Sequence, residues 1–273
     1  MKEIYKIFYT FLDWRSKAVL RRHLMVFIKT WKTAFIPPLM EPIVTLFSFG
    51  LGVGLFVNNM TYHEHTFSYL EYIVPGIMVN TFFYTSFFEG LYGSYVRMIY
   101  QKTFDGMLTT QLEMPNIIWG EILWGSSRAL INAMVLCLVL IGMNLMGLIQ
   151  IHLWFLFPCL LIGFLACILF TSTALIIASS VPTIDHLSYG VFLIAIPLSF
   201  ISNTFFPMDR FGNIFNIIQQ INPVYHLSEF MRGGLLLGGF NRTFLIHILV
   251  ILVFIPVPVY FSHISMRKRV LGE

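Results

Sequence analysis

The sequence predicts an all-α integral membrane protein: an N-terminal amphipathic interface helix, six transmembrane helices, and a re-entrant helix pair before the last span. Three observations predict it. Of 273 residues, 57% are hydrophobic and only 11% are charged, against about 25% charged in ordinary soluble domains. The apolar residues fall in long runs, and a run of about 20 is what an α-helix needs to cross a bilayer. The basic residues are unevenly placed: eight of the 17 Lys and Arg precede residue 33, and Arg267-Lys268-Arg269 close the chain. Positive flanks stay on the cytoplasmic side, so both termini are expected there, as an even number of spans allows. No repeat or linker divides the chain, and residues 1–273 read as one membrane domain.

Residues 1–33 form the interface helix. Ile4, Phe8, Phe11 and Leu12 repeat at helical spacing, then Leu20, Leu24, Phe27, Ile28 and Trp31, with Lys6, Asp13, Lys17, Arg21 and Arg22 on the other faces. A helix of this kind lies in the membrane interface or packs on another protein; the anchors Trp14 and Trp31 favour the interface. The first thirty residues lack the continuous apolar stretch of a cleaved signal. The first span is 34–57, with Pro37, Pro38 and Pro42 near its start, where a missing N–H is tolerated. Residues 58–70 form an outer loop without Lys or Arg. The second span, 71–96, opens with Pro75-Gly76 and carries Glu89. The third runs 117–147, the fourth 153–181, the fifth 187–206 and the last 243–264.

Residues 207–241 are too polar for a span and too apolar for an ordinary loop. Asp209, Arg210, Asn213, Asn216, Gln219, Gln220, Asn222, His226, Glu229 and Arg232 alternate with Phe, Ile and Leu, and Pro223 splits the segment. Two short helices dipping in from the outer side and returning would fit. Such backbone is tolerated at depth only where protein or a wet cavity satisfies it.

Catalytic motifs are absent. The chain has no G-x-x-x-x-G-K-[ST] phosphate loop, no H-E-x-x-H and no G-x-S-x-G elbow. His63-Glu64-His65 offers two imidazoles in a solvated loop without further obvious ligands. Cys137, Cys159 and Cys167 all fall in apolar runs and read as small buried residues. No catalytic residue, metal site or bound cofactor is therefore expected. Charges inside the spans are few: Glu41, Glu89, Glu121 and Arg128. Each costs about 2.5–3.5 kcal/mol at a helix centre, so each needs protein, water or a partner. Glu121 and Arg128 stand about 10 Å apart along one helix. They read either as a polar lining or tether, or as interfacial groups that snorkel outward. Glu89 lies deeper and is the candidate for a functional intramembrane carboxylate.

Between the second and third spans sits a polar strip, 97–116. Phe104, Met107, Leu108 and Leu112 share a helical face, with Gly106 allowing close approach. A short helix ending near Pro115 would expose an apolar knob edged by Lys102, Asp105 and Thr109. An apolar anchor with a polar rim docks in a partner's groove; the competing reading is a helix lying on lipid headgroups.

Several segments together carry a family resemblance. They are Tyr72-Ile73-Val74-Pro75-Gly76-Ile77, Phe88-Glu89-Gly90, Lys102-Thr103-Phe104-Asp105-Gly106-Met107-Leu108, Gly120-Glu121 with Trp124 and Arg128, Phe205-Phe206-Pro207-Met208-Asp209, Asn222-Pro223, and Arg232. Over nearly its whole length the chain resembles the ABC-2 class of transporter permeases, notably the nodulation lipo-oligosaccharide exporters and the daunorubicin-type drug exporters. The resemblance implies that Lys102, Thr103, Phe104, Asp105, Gly106, Met107, Leu108 and Thr109 form a coupling helix that docks on a separate ATP-binding subunit, where ATP and Mg are used. It also implies an outer gate at Phe206, Pro207, Asp209, Pro223 and Arg232. Two departures fall in that outer region: Gly212 stands where proline is common, and Ser202-Asn203-Thr204 where glycine is common.

The expected protein is thus the non-catalytic permease subunit of an exporter, multi-pass in the cell inner membrane. With no duplicated half, it would work as two permease copies beside two ATPase subunits, without nucleic acid. The expected cargo is amphipathic: a lipid-linked glycan or lipo-oligosaccharide, or alternatively a hydrophobic drug. An ion-coupled secondary transporter using Glu89 is the remote alternative.

Overall fold

The computed structural model describes residues 7, 9–32, 40, 43–57, 59–205, 207, 212–239 and 242–272. Ile4, Phe8, Pro37, Pro38, Glu41, Pro42, Phe206, Met208, Asp209 and Arg210 lie outside the described residues. The described chain is mostly helical.

Helix α1, Trp14–Lys29, starts where the Asp13 carboxylate accepts from the Arg15 N–H at 3.1 Å, an N-cap that satisfies an otherwise orphaned donor. Its buried residues are Ser16, Val19 and His23, one helical stripe that packs on α4, Met114–Leu145. Trp14, Met25, Val26, Ile28 and Trp31 point outward. Lys17, Arg21 and Lys29 are exposed as well, so the outward surface mixes basic and large apolar residues, a composition that suits a membrane interface.

Helix α2, Tyr69–Phe88, opens on a capping box between Ser68 and Glu71. It does not stop at Phe88. Two π turns, Glu89–Gly93 and Val96–Tyr100, carry it onward. Lys102 then turns the chain in the left-handed region (φ 47°), and α3, Thr103–Leu108, follows. Beyond α4 come α5, Leu156–Ser180, and α6, Ile184–Phe200. Next are α7, Asn213–Ile221, and α8, Pro223–Arg232, with a π turn to Leu237. Asn222 caps α8, accepting from the Val224 N–H at 3.0 Å, with Pro223 at the helix start where its missing donor is harmless. The chain ends in α9, Arg242–Phe254, and α10, Pro256–Leu271.

Helices α2, α4 and α5 pack on one another, α10 lies on α5, and α8 on α9. The core between them is aromatic and branched-aliphatic, with Phe82, Phe83, Phe87, Ile117, Ile122, Phe170 and Leu175 buried. Cys137, Cys159 and Cys167 are buried free thiols. Met114–Leu145, Leu153–Ser180 and Phe244–Leu271 are long and apolar enough to cross a membrane, and Ile184–Phe200 is a shorter apolar helix.

The loop expected at 58–70 carries a hairpin that the sequence reading did not anticipate: Met60–Tyr62 (β1) and His65–Phe67 (β2) pair antiparallel, with Thr61 opposite Thr66. His63 and Glu64 turn the hairpin with φ of 44° and 66°. The third span's helix starts at Met114 rather than 117, so Glu121 lies two turns inside α4, where it is fully buried against protein and does not reach outward to solvent.

Candidate functional site

Glu89, Glu121 and Arg128 converge with Arg97 and His23. Glu89 sits in the first π turn after α2, Arg97 in the second, Glu121 and Arg128 on α4, and His23 on α1. Arg97 Nη1 donates to Glu89 Oε1 at 2.7 Å, and Nη2 to Glu121 Oε2 at 2.6 Å. Arg97 Nε also faces Glu121, at 3.1 Å from Oε2. Arg128 Nη1 donates to Glu89 Oε2. Trp124 Nε1 donates to Glu89 Oε1 at 2.8 Å, Ser94 Oγ to Glu121 Oε2 at 2.6 Å, and His23 Nε2 lies 3.0 Å from Glu121 Oε1. The His23 ring stacks on Trp124, centroids 5.6 Å apart.

Two guanidiniums thus face two carboxylates, and the network is neutral apart from His23. Removing a single charge would leave its partner buried and uncompensated, whereas the complete set is tolerable in a low-dielectric surround. Gly93 makes the geometry possible: a Cβ there would stand 2.5 Å from Glu89 Oε1 and 3.1 Å from Arg97 Nη1. The π turns matter as well. Bonding from residue i to i+5 takes more residues per turn, which brings Arg97, eight residues after Glu89, back toward the same face. A cavity of about 420 Å³, lined in part by Arg22, Phe27, Tyr92 and Arg128, opens beside the network.

Glu121 and Arg128 do not pair with each other, as their separation along the helix predicted; Arg97 and Glu89 bridge them. Glu89 is buried as expected, but its oxygens are occupied by two guanidiniums and an indole. Arg97 and His23 were missed by sequence reasoning. Arg97 read only as the start of the polar strip, and His23 was given no role.

The strip follows directly from Arg97. Its helix α3 has the opposite facing from the expected apolar knob: Phe104 is fully buried and Met107 is buried, both within the main core, and Leu108 is half-buried. Lys102, Asp105, Gly106 and Thr109 are exposed, and Thr103 is partly so. In water the apolar side of a six-residue helix is what holds it in place, so Phe104 and Met107 fasten α3 to the body and leave a polar face outward.

At the opposite end of α2 lies a second buried charge. Arg232 is fully buried, donating to Glu229 Oε1 at 3.1 Å and to the Asn203 carbonyl at 2.5 Å, with its guanidinium 4.1 Å from the Tyr72 ring centroid. Tyr62 of β1 donates to Glu229 Oε2 at 2.9 Å. Burial, and after it the Glu229 carboxylate, push the Tyr62 phenol well above its ordinary range, so it stays a donor. The Ser202-Asn203-Thr204 turn packs where Gly76 leaves room: a Cβ on Gly76 would stand 2.2 Å from the Thr204 carbonyl oxygen. Of the expected gate residues, Arg232 lies in this cluster, Pro207 lines a cavity beside it, and Pro223 starts α8. Phe206 and Asp209 lie outside the described residues.

Comparison with known proteins identifies the family. Residues 15–236 match the ABC-2 type transporter family. The chain is 27% identical to Nodulation protein J of Sinorhizobium fredii over 262 residues, covering 95% of each protein. It is 26% identical to Nodulation protein J of Bradyrhizobium diazoefficiens over 255 residues, 93% of each. The inner membrane transport permease YadH of Escherichia coli is 23% identical over 257 residues, 94% of this chain and 95% of that protein. No solved structure matches. With the match spanning most of its length, the chain belongs to the ABC-2 type transporter family, as the permease subunit of an ABC transporter.

Proposed function

We propose that this permease exports an amphipathic substrate, a lipid-linked glycan or lipo-oligosaccharide, with ATP hydrolysed by a separate subunit that docks on the exposed face of α3. In this reading the chain crosses the inner membrane six times with both termini in the cytoplasm. Two copies stand beside two ATP-binding subunits, and the α7–α8 pair dips into the outer leaflet. The likeness to Nodulation protein J supports an oligosaccharide-bearing cargo, and the likeness to YadH fits a permease of any cargo. The outward stripe of Ile214, Ile217, Ile218 and Ile221 on α7 supports contact with lipid.

The observation that carries the reading is the continuity from α3 to the charge network. Five residues separate the start of α3 from Arg97. A push on the polar face reaches Arg97 through a helix that Phe104 and Met107 pin to the core. Arg97 in turn holds α2 and α4 together, with His23 tying in α1. Packed elements of this kind transmit displacement because they have discrete arrangements rather than a continuum. A drug-efflux permease would use the same machinery, and the two cargoes separate by assay. The ion-coupled alternative has less support, because Glu89 is held by Arg97, Arg128 and Trp124 and is not poised to exchange a proton.

The test is reconstitution. Vesicles holding the permease with its co-expressed ATPase should move a lipid-linked oligosaccharide in an ATP-dependent way. Vesicles with the permease alone should neither move it nor hydrolyse ATP. Transport that persists without the ATPase and stops when a proton gradient is collapsed would replace this reading with the ion-coupled one.

A further inference from the structure

Helix α4 is 32 residues long. At 1.5 Å per residue that is about 48 Å, well over the roughly 30 Å hydrocarbon core of a bilayer. Its exposed apolar residues run to the far end, at Leu138 and Leu145, and on to Met146. Counting the core back from Leu145 takes about 20 residues, which puts the other membrane boundary beside Trp124 and Arg128. The cavity of about 420 Å³ next to the charge network opens at that level. Its volume falls in the range of small-molecule sites, about 300–1,000 Å³. Helix α1 forms one wall with Arg22, Phe27 and Thr30, and the π turns after α2 bring Tyr92 to another.

The described wall offers more donors than acceptors. Arg22, Arg97 and Arg128 bring three positive charges, and Glu89, with Glu121 behind it, brings two negative ones, which leaves one positive charge in excess. Both Glu89 oxygens are taken, one by Arg97 and Trp124 and the other by Arg128. Among the described residues, Arg22 has no ion-pair or hydrogen-bond partner. Arg128 bonds Glu89 through Nη1 alone, and its side chain is 32% exposed. Guanidiniums with free N–H edges match the oxygens of a phosphate. A ladder of rings leads to the same place: Tyr84, Phe88 and Tyr92 stack along α2 and its first π turn, with centroids 5.8 and 6.0 Å apart. Phe88 is exposed, and Tyr92 belongs to the cavity wall. An apolar track that ends at an unpaired cation, at the level of the headgroups, fits a phosphate carried on acyl chains. We propose that the cavity seats the phosphate of an anionic phospholipid from the leaflet nearest α1, between Arg22 and Arg128, with an acyl chain along the Tyr84–Phe88–Tyr92 ladder. The site is independent of the cargo.

The test uses the full-length chain in a neutral maltoside detergent and native mass spectrometry, which resolves bound lipid by mass. The probes are dioctanoyl phosphatidylglycerol, dioctanoylglycerol, which has the chains without the phosphate, and inorganic phosphate, which has the reverse. Phosphatidylglycerol should bind more tightly than either. Arg22→Gln should raise its Kd about tenfold, equivalent to about 1.4 kcal/mol, and Arg22→Lys should recover part of the loss. Phe88→Ala should also raise it. Arg21→Gln removes an equal charge from the neighbouring position, exposed and outside the cavity wall, and should leave Kd unchanged. Arg22 and Phe88 are not buried, so neither replacement removes core packing. Equal losses in Arg22→Gln and Arg21→Gln would mean diffuse attraction to a basic helix and would overturn the site. An unchanged Kd in Arg22→Gln or in Phe88→Ala overturns it as well. Inorganic phosphate binding as tightly as phosphatidylglycerol overturns the lipid assignment, and dioctanoylglycerol binding as tightly overturns the role of the phosphate.

Discussion

Arg97 and Glu121 stand 24 residues apart in sequence, yet the guanidinium lies 2.6 Å from a fully buried carboxylate. That ion pair ties the end of α2 to α4, and the same arginine reaches Glu89 at 2.7 Å.

Arg97→Ala should therefore be severe. It leaves Glu121 facing only Ser94 and His23, and it breaks the chain of charges between α2 and α4. Removing one member of a buried ion pair typically costs about 3–5 kcal/mol. Thermal unfolding of the detergent-solubilised protein should show a large fall. Arg97→Lys should recover part of it, since an ammonium keeps the charge but cannot span both carboxylates as the guanidinium does. A melting temperature unchanged by Arg97→Ala would mean that the network contributes nothing to the fold.

Gly93→Ala tests the same network without touching a charge. The new methyl would meet the Glu89 carboxylate at 2.5 Å, and that carboxylate is pinned by three donors. Overpacking of this kind costs about 1–3 kcal/mol. Gly142→Ala, on α4 with nothing within 4 Å of the added atom, should lose no stability. Equal melting temperatures for the two variants would count against the close-packed geometry.

Within α3, neighbouring residues should separate by phenotype. Phe104→Ala removes a buried ring from the core, a change worth about 3–5 kcal/mol, and should lower folded yield in size-exclusion profiles. Asp105→Arg is exposed and should fold normally. A normal profile for Phe104→Ala would return the ring to the surface, where the apolar-knob reading placed it.

That contrast marks what was legible in the sequence. The helical character of 103–108 and the polar character of the strip were visible, because both depend on local spacing; the expected continuation to near Pro115 was not borne out, since α3 ends at Leu108 and Pro115 lies in the first turn of α4. Which side of α3 turned inward was not, since a six-residue amphipathic turn looks alike whether its apolar side meets its own chain or a partner. The long apolar helices were readable from run length. The buried ion pairs were not: Arg97 reaches Glu121 across 24 residues, and the π turns that aim it at Glu89 leave no simple periodic signature. The hairpin escaped for a different reason. Its strands are three residues each, and its turn residues His63 and Glu64 adopt positive φ without the Asn-Gly or Asp-Gly signal that usually marks such turns.

Tyr62→Phe should loosen that hairpin specifically. Two three-residue strands are marginal alone, and the hydroxyl's bond to Glu229, a hydrogen bond to a charged group, is worth about 1.5–3 kcal/mol. Hydrogen–deuterium exchange over Met60–Phe67 should quicken while α4 and α5 keep their protection. Unchanged exchange in the hairpin would show that something other than Tyr62 holds it.

The central claim is that ATP work performed elsewhere enters this chain through the exposed face of α3. The most direct measurement records ATP hydrolysis and cargo export together, in vesicles carrying the permease and its ATPase, for wild type and Asp105→Arg. Hydrolysis that continues while export falls about tenfold, a loss of roughly 1.4 kcal/mol of coupling, is the predicted result. Export that stays at the wild-type level per ATP hydrolysed would contradict it.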